Sequence, residues 1–284
     1  MTERVAIAGV GLIGGSFGLA LRAAGHAGEL VGLGRDAARL EAALECGAID
    51  RAETDAAAAL AGADVVLLAV PMGAMAELLA ALAPHLEPGA IVTDAGSVKG
   101  SFVRDAQRVL GSLARVVPGH PIAGTERSGV DAAFAELYQG RRVILTPTEE
   151  TQAAAIDTVE RLWSRTGANV ERLPVEAHDR LLAATSHLPH MLAFGLVDAL
   201  ARGEDSAAVF RYAAGGFRDF TRIASSDPVM WRDICLANRD ALLGALEAYR
   251  DDLEQLTAEV RDGDGAGLLD RFRRAKTARD RFCR

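Results

Sequence analysis

Short apolar runs, many of them β-branched, alternate through the first 173 residues with longer stretches in which apolar residues recur every three or four positions. The runs at 4–10, 30–33, 65–70, 91–94, 115–118 and 143–147 have the length and Val/Ile/Leu content of buried strands. Helical periodicity marks 14–24, 37–46, 75–83, 101–113 and 149–166, and 169–173 reads as a last strand. Such alternation predicts an α/β fold with a parallel sheet and crossover helices.

From Pro174 the strands stop. Pro174 suits the first turn of a helix, and 177–200 continues with helical periodicity. Further on, Leu242, Leu243, Leu246, Tyr249, Leu253, Leu256 and Val260 fall at three- and four-residue spacings, which gives 240–260 one long amphipathic face. A glycine-containing interruption at 263–267 precedes a last basic helix. We place a domain boundary near Leu173, with residues 1–173 as the α/β half and 174–284 as an all-helical half. Long amphipathic helices in such an arrangement predict a homodimer formed through the helical half, with packing inside one chain as the alternative.

Composition narrows the class. Half of the 284 residues are hydrophobic and a quarter charged, which excludes a disordered or fibrous chain. The longest apolar runs fall far short of the roughly 20 residues of a membrane span. Met-Thr-Glu-Arg opens no signal peptide, so a cytoplasmic protein without membrane contact is expected. Cys46, Cys235 and Cys283 are odd in number and widely spaced, which predicts neither a disulfide framework nor a metal site. A net charge of -8 argues against nucleic acid as a partner.

One turn carries specific chemistry. Gly9-Val-Gly11-Leu12-Ile13-Gly14-Gly15-Ser16 follows a hydrophobic strand and opens a helix, the context in which a G-x-G-x-x-G pattern signals a Rossmann-type dinucleotide-binding domain. Gly9 permits the tight turn, Gly11 lets the backbone approach a pyrophosphate, and Gly14 lets helix pack on strand. Val70 and Pro71, at the end of the 65–70 strand, are assigned to the same site. Gly34 stands where an NAD enzyme would carry its ribose-binding carboxylate, and Arg35 follows. Gly34 leaves room for a 2'-phosphate and a guanidinium can pair with it, so NADP is favoured over NAD as the NAD(P) cofactor. Asp36 keeps a ribose contact, and hence NAD, open.

Three later segments place polar residues at the expected catalytic edge: Asp94-Ala-Gly96-Ser97-Val-Lys99, Gly119-His120-Pro121-Ile-Ala-Gly124-Thr125-Glu126, and Ser186-His187-Leu-Pro189-His190. With the glycine turn and with G-G-F-R-D-F-T-R followed by S-D-P-x-M-W, they run in order along nearly the whole chain. In these motifs the sequence resembles the prephenate/arogenate dehydrogenase family of tyrosine biosynthesis. The resemblance implies oxidative decarboxylation of a small dicarboxylate cyclohexadienol, with hydride leaving ring C4 for the nicotinamide.

The resemblance also implies roles. His120 matches the catalytic histidine; an ordinary imidazole with a pKa near 6.5 accepts a proton at neutral pH. Ser97 matches the serine that hydrogen-bonds the same hydroxyl. Arg222 matches the arginine of the F-T-R segment and would hold a carboxylate, and Glu126 would pair with it in an empty site. Thr125, Arg218, Asp219 and Trp231 fall on positions near the substrate, Trp231 being equally explicable as core. Spacing alone puts Asp179, Ser186 and His190 on one helical face turned to the cleft, with His187 structural or on the cofactor side. Arg218 and Arg222 together favour prephenate, whereas Asp219 suits the ammonium of arogenate. Neither a fused chorismate mutase nor an ACT domain is expected. A β-hydroxyacid dehydrogenase or imine reductase would share the two-part architecture, and a non-catalytic NADPH-binding sensor would share the glycine turn. Neither explains His120, Ser97 and Arg222 in their motifs.

Overall fold

The computed structural model describes residues 3–125 and 127–282. The chain divides into two compact units, one running to Arg239 and the other from Asp240.

In the first unit the alternation is real and finer than the pattern suggested. It runs β1 (Val5–Ala8), α1 (Leu12–Ala23), β2 (Leu30–Leu33), α2 (Ala37–Glu45), β3 (Arg51–Glu53), α3 (Ala56–Leu60), β4 (Val65–Leu68), α4 (Met72–Leu82), β5 (Ile91–Asp94), α5 (Lys99–Leu110) and β6 (Val116–Val117). These six strands form one parallel sheet in the order β3-β2-β1-β4-β5-β6. Strand order reverses between β1 and β4, which is where an open α/β sheet receives its ligand. Alternate residues of the central strands feed two cores. Val5, Ile7, Val65 and Leu67 face a cluster with Phe17, Tyr138 and Trp163. Ala6, Ala8, Val66 and Leu68 face Leu79 and Phe102 on the other side. Burial on both faces explains why these strands read as unbroken apolar runs.

The run expected as one strand over 115–118 ends early at Pro118, which has no amide for a ladder. The chain leaves the large sheet there and starts a second one, built from β7 (Gly119–Pro121), β8 (Arg142–Leu145) and, after α6 (Ala153–Arg165), β9 (Asn169–Arg172). β7 pairs antiparallel with β8, and β8 parallel with β9. His120 therefore sits on the strand that begins the second sheet.

Helices follow: α7 (Val175–Leu182), α8 (Leu188–Ala201), α9 (Ser206–Arg211), α10 (Gly215–Thr221) and α11 (Pro228–Ala237). The expected boundary at Leu173 falls in this unit, between β9 and α7. A π-helical turn at Ala183–His187 separates α7 from α8, so the helix expected over 177–200 is interrupted. The second unit holds α12 (Arg239–Arg261, entering from its first residue) and α13 (Gly265–Phe282), joined by Arg271, which pairs with Glu259 and Asp252. Among the described residues no helix is long and apolar enough to cross a membrane.

The β1–α1 turn shows why glycine is required. Gly9 has φ of 100°, and a Cβ there would lie 2.6 Å from the Ala69 carbonyl oxygen. A Cβ on Gly14 would overlap the Gly9 carbonyl and stand 2.9 Å from the Ile7 side chain. Gly14→Ala should therefore destabilise the fold by about 1–3 kcal/mol, the usual cost of forcing an extra carbon into a packed site. Denaturant unfolding measures it; wild-type stability would mean that α1 can lift from β1 at no cost.

Candidate active site

At the switch point a cleft of about 510 Å³ opens over the β1–α1 turn, lined among others by Gly9, Gly11, Gly34, Val70 and Pro71. Gly11 caps α1 with no atom in front of its Cβ position. The first intrahelical bond is donated by Gly15 to Gly11, so the amides of the first turn are unspent within the helix. Leu12 and Ile13 thus offer backbone N–H groups rather than side chains: Leu12 is buried, and the Ile13 carbonyl accepts from the Tyr138 hydroxyl at 2.6 Å. Amides at a helix start suit a pyrophosphate.

Farther along the cleft, Arg35, Asp36 and Arg39 project from the start of α2. Asp36 is already engaged. Its Oδ1 accepts from the amides of Ala38 and Arg39 at 3.0 and 3.3 Å, and Oδ2 lies 3.3 Å from the Arg39 guanidinium. The swing to a ribose considered above would cost this helix cap, about 1 kcal/mol.

The cluster around His120 is built from β5, α5, β7 and α7. Lys99, fully buried at the start of α5, donates to Asp94 at the end of β5 and to the Gly119 carbonyl at 2.6 Å. Asp94 in turn accepts from the amides of Gly96 and Gly119 at 2.8 and 3.1 Å. Burial works against both charges, pushing the Asp94 carboxyl up and the Lys99 amine down, and each partner opposes the shift of the other. The pair fixes the strand that carries His120.

His120 is buried, and its Nδ1 lies 2.9 Å from His178 Nε2. His178 Nδ1 lies 2.8 Å from Asp179 Oδ1. Among the described residues His120 Nε2 has no hydrogen bond. The expectation of an ordinary imidazole needs correcting: burial first, then the positive charge of Lys99 and the neighbouring His178 and His187, hold His120 well below 6.5. Burial alone would raise the Asp179 carboxyl, but hydrogen bonds from His178 and from the Lys99 and Gly100 amides hold it below its ordinary value.

A second group gathers around Trp231. His190 stacks on its ring with centroids 3.5 Å apart, and Nδ1 donates to the Ser186 carbonyl at 2.8 Å. Burial lowers the His190 pKa, and Arg222 adds to the shift, which places that guanidinium within electrostatic range. Among the described residues the buried Trp231 Nε1 has no hydrogen-bond partner. His187 is buried and accepts from the Asn238 amide at 3.0 Å, a structural position.

The helix on which Asp179, Ser186 and His190 were expected to share one face is interrupted between Asp179 and His190. The π-turn between them adds a residue to the winding and breaks their phase. Asp179 turns instead to the start of α5, while His190 turns to Trp231. Ser97 is half-buried in the loop before α5, and Thr125, whose hydroxyl accepts from the Arg127 amide at 3.2 Å, is exposed. Arg218 and Asp219 are exposed on α10. Glu126 lies outside the described residues. Sequence reasoning gave no role to His178, Lys99 or Asp94; a histidine next to an aspartate at a helix start was the available signal for the first. No group of three or more His, Cys, Asp or Glu suited to a metal occurs among the described residues.

Comparison with known proteins agrees with this layout. The chain is 41% identical to a cyclohexadienyl dehydrogenase of Zymomonas mobilis, over 98% of this chain and 95% of that protein. It is 36% identical to a prephenate dehydrogenase of Bacillus subtilis, over 99% of this chain and 76% of the relative. Among solved structures it resembles prephenate dehydrogenase from Aquifex aeolicus in complex with hydroxyphenyl propionate and NAD+, with a TM-score of 0.92, 40% identity and 98% of each chain covered. Residues 17–172 match the family model for the prephenate dehydrogenase nucleotide-binding domain, and 174–274 the model for its dimerization domain. With both parts matched in order, the chain belongs to the prephenate dehydrogenase family.

Proposed function

We propose that this protein oxidatively decarboxylates prephenate or arogenate with NAD(P), giving 4-hydroxyphenylpyruvate or tyrosine in tyrosine biosynthesis. The observation that carries the reading is His120: a buried imidazole with Nδ1 tied down and, among the described residues, no partner at Nε2, on the strand that follows the dinucleotide-binding sheet in a chain of this family. When bound, the nicotinamide accepts the C4 hydride. His120 Nε2 takes the proton of the C4 hydroxyl, and Ser97 holds that hydroxyl. As carbon dioxide leaves, the ring carbon keeps the bonding electrons and aromatises, and the proton returns from His120 to the phenolic oxygen. Arg222 holds a substrate carboxylate, with Glu126 as its partner in the empty site. Thr125, Ser186, His190 and Trp231 shape the pocket. Arg218 and Arg222 favour the dianionic prephenate, while Asp219 is the group that would accept the ammonium of arogenate. Steady-state kinetics with both substrates and both cofactors tests the reading.

The division into a cofactor half, 1–173, and a substrate and dimerisation half, 174–284, is part of the proposal and is supported by family models that end at 172 and begin at 174. A homodimer through the helical half is supported by the dimerization-domain match and by exposed Leu253, Val260, Leu269 and Phe272. The free thiols of Cys46 and Cys235 fit a reducing, cytoplasmic setting.

General-base catalysis contributes about 10²- to 10⁴-fold, so His120→Asn should lower turnover by that factor and leave cofactor affinity intact. Turnover near wild type would remove His120 as the base. Arg222→Gln should raise KM by roughly one to two decades, the equivalent of about 1.5–3 kcal/mol for a charge-assisted carboxylate contact. An unchanged KM for both substrates would move the search to Arg218.

NADP is the cofactor we favour, because Gly34 leaves space, Asp36 is committed to its helix cap, and Arg35 and Arg39 both line that end of the cleft. Arg35→Ala should lower kcat/KM for NADP selectively, since NAD lacks the phosphate that a guanidinium would pair with. A wild-type preference for NAD that Arg35→Ala leaves unchanged would reverse this assignment.

A further inference from the structure

His120 stands at one end of a buried line of hydrogen bonds whose other members have no task in the reaction as written. Asp179 Oδ1 lies 2.8 Å from His178 Nδ1, and its carboxylate also receives the amides of Lys99 and Gly100 at 2.9 and 2.8 Å. His178 is fully buried, and its Nε2 lies 2.9 Å from His120 Nδ1.

The direction of each bond follows from what the end groups can do. An ionised carboxylate only accepts, so His178 Nδ1 carries a hydrogen. A neutral His178 then presents a lone pair at Nε2, and His120 must donate its Nδ1–H to it. The remaining nitrogen, His120 Nε2, is left with a lone pair. Asp179 thereby sets the tautomer of a ring it does not touch. Capping the start of α5 accounts for Asp179 alone; it gives no reason for a histidine with both nitrogens spent in line between a carboxylate and the base.

We propose that His178 and Asp179 are positioning residues that hold His120 as the Nδ1–H tautomer and stabilise the imidazolium it becomes while it carries the substrate proton. This rests on His120 as the base. No bond beyond the hydrogen bonds changes in the relay. The proton stays on His120 Nε2 until it returns to the phenolic oxygen, and His178 keeps its own.

The charged and titratable groups facing His120 explain why such support is needed. Lys99 from α5, His178 from α7 and His187 from the π-turn add to burial in disfavouring the imidazolium. Asp94 is spent on Lys99. Through His178, Asp179 supplies the opposing negative charge.

The first test is nitrogen-15 NMR of the whole enzyme with labelled histidine, with the His120 signals assigned by their loss in His120→Asn. The expected result is a protonated Nδ1 and a bare Nε2; a protonated Nε2 in the resting enzyme overturns the proposal, whatever any variant does. The second is His178→Phe, which keeps the buried volume and removes the acceptor. We expect kcat to fall about 10²-fold, within the range reported for losing a base or its tautomer. KM for prephenate and cofactor affinity should stay within about twofold. The acid limb of the kcat/KM profile, expected below pH 6.5 in wild type, should move to lower pH, because the imidazolium has lost its acceptor. In a His120→Asn background His178→Phe should add no further loss, since it acts through His120. A single variant with wild-type kcat, an acid limb moved upward, or an additive loss in the double variant overturns the proposal. Retained turnover in His120→Asn alone would instead overturn the base assignment. Should His178→Phe fail to fold, the wild-type tautomer decides.

Discussion

One buried ammonium organises this site. Lys99 reaches Asp94 at the end of β5 and the Gly119 carbonyl at the start of β7, while Asp94 takes the Gly119 amide. Both side chains are fully buried, so neither has water to fall back on. A lone charge in such a place costs several kcal/mol, which makes the pair far more demanding of geometry than a surface bridge. The consequence is positional. The parallel sheet stops at Pro118, and the strand bearing His120 belongs to the second sheet, yet Gly119 is held from both sides by the pair. His120 is therefore referenced to the same strand end that precedes Ser97.

Much of this was legible in the chain and some was not, for physical reasons. β1, β2, β4 and β5 are buried on both faces, so their apolar runs announced them. The glycine turn was equally plain, because its steric demands admit little else. β3 and α3 were missed: Arg51–Glu53 is short, polar and only half-buried, and Ala56–Leu60 is too short for a period to register. The helices α9 and α10 escaped in the same way, at six and seven residues. α11 was missed as well, although Asp227 ahead of Pro228 is a helix-start signal and accepts from the Met230 amide. In the candidate site, His120, Ser97 and Arg222 were singled out through their motifs. The partners of His120 were not, because the contact of His178 with His120 joins elements far apart in sequence.

The helical-face error is more instructive. Counting by 3.6 residues put Asp179, Ser186 and His190 together, and that count assumes an unbroken helix. The π-turn at Ala183–His187 breaks the assumption. Upstream of it, α7 turns His178 and Asp179 toward β7 and the start of α5; downstream, α8 turns His190 onto Trp231. The stretch on either side of the irregular turn thus reaches His120 with one part and Trp231 with the other.

The electrostatics are arranged in the same divided manner. The chain as a whole carries -8, yet the groups collected here are a buried ammonium, a guanidinium near His190, and histidines whose protonation burial opposes. A carboxylate substrate approaching an acidic protein needs local cations, but an imidazole surrounded by cations becomes too weak to hold a proton. Neutralising Lys99 with Asp94 meets half of that conflict. The other half needs negative charge applied to His120 itself and kept away from the substrate carboxylates. In the proposed relay Asp179 acts from behind His178, whose imidazole ring stands between the carboxylate and His120 and passes on its hydrogen-bond direction.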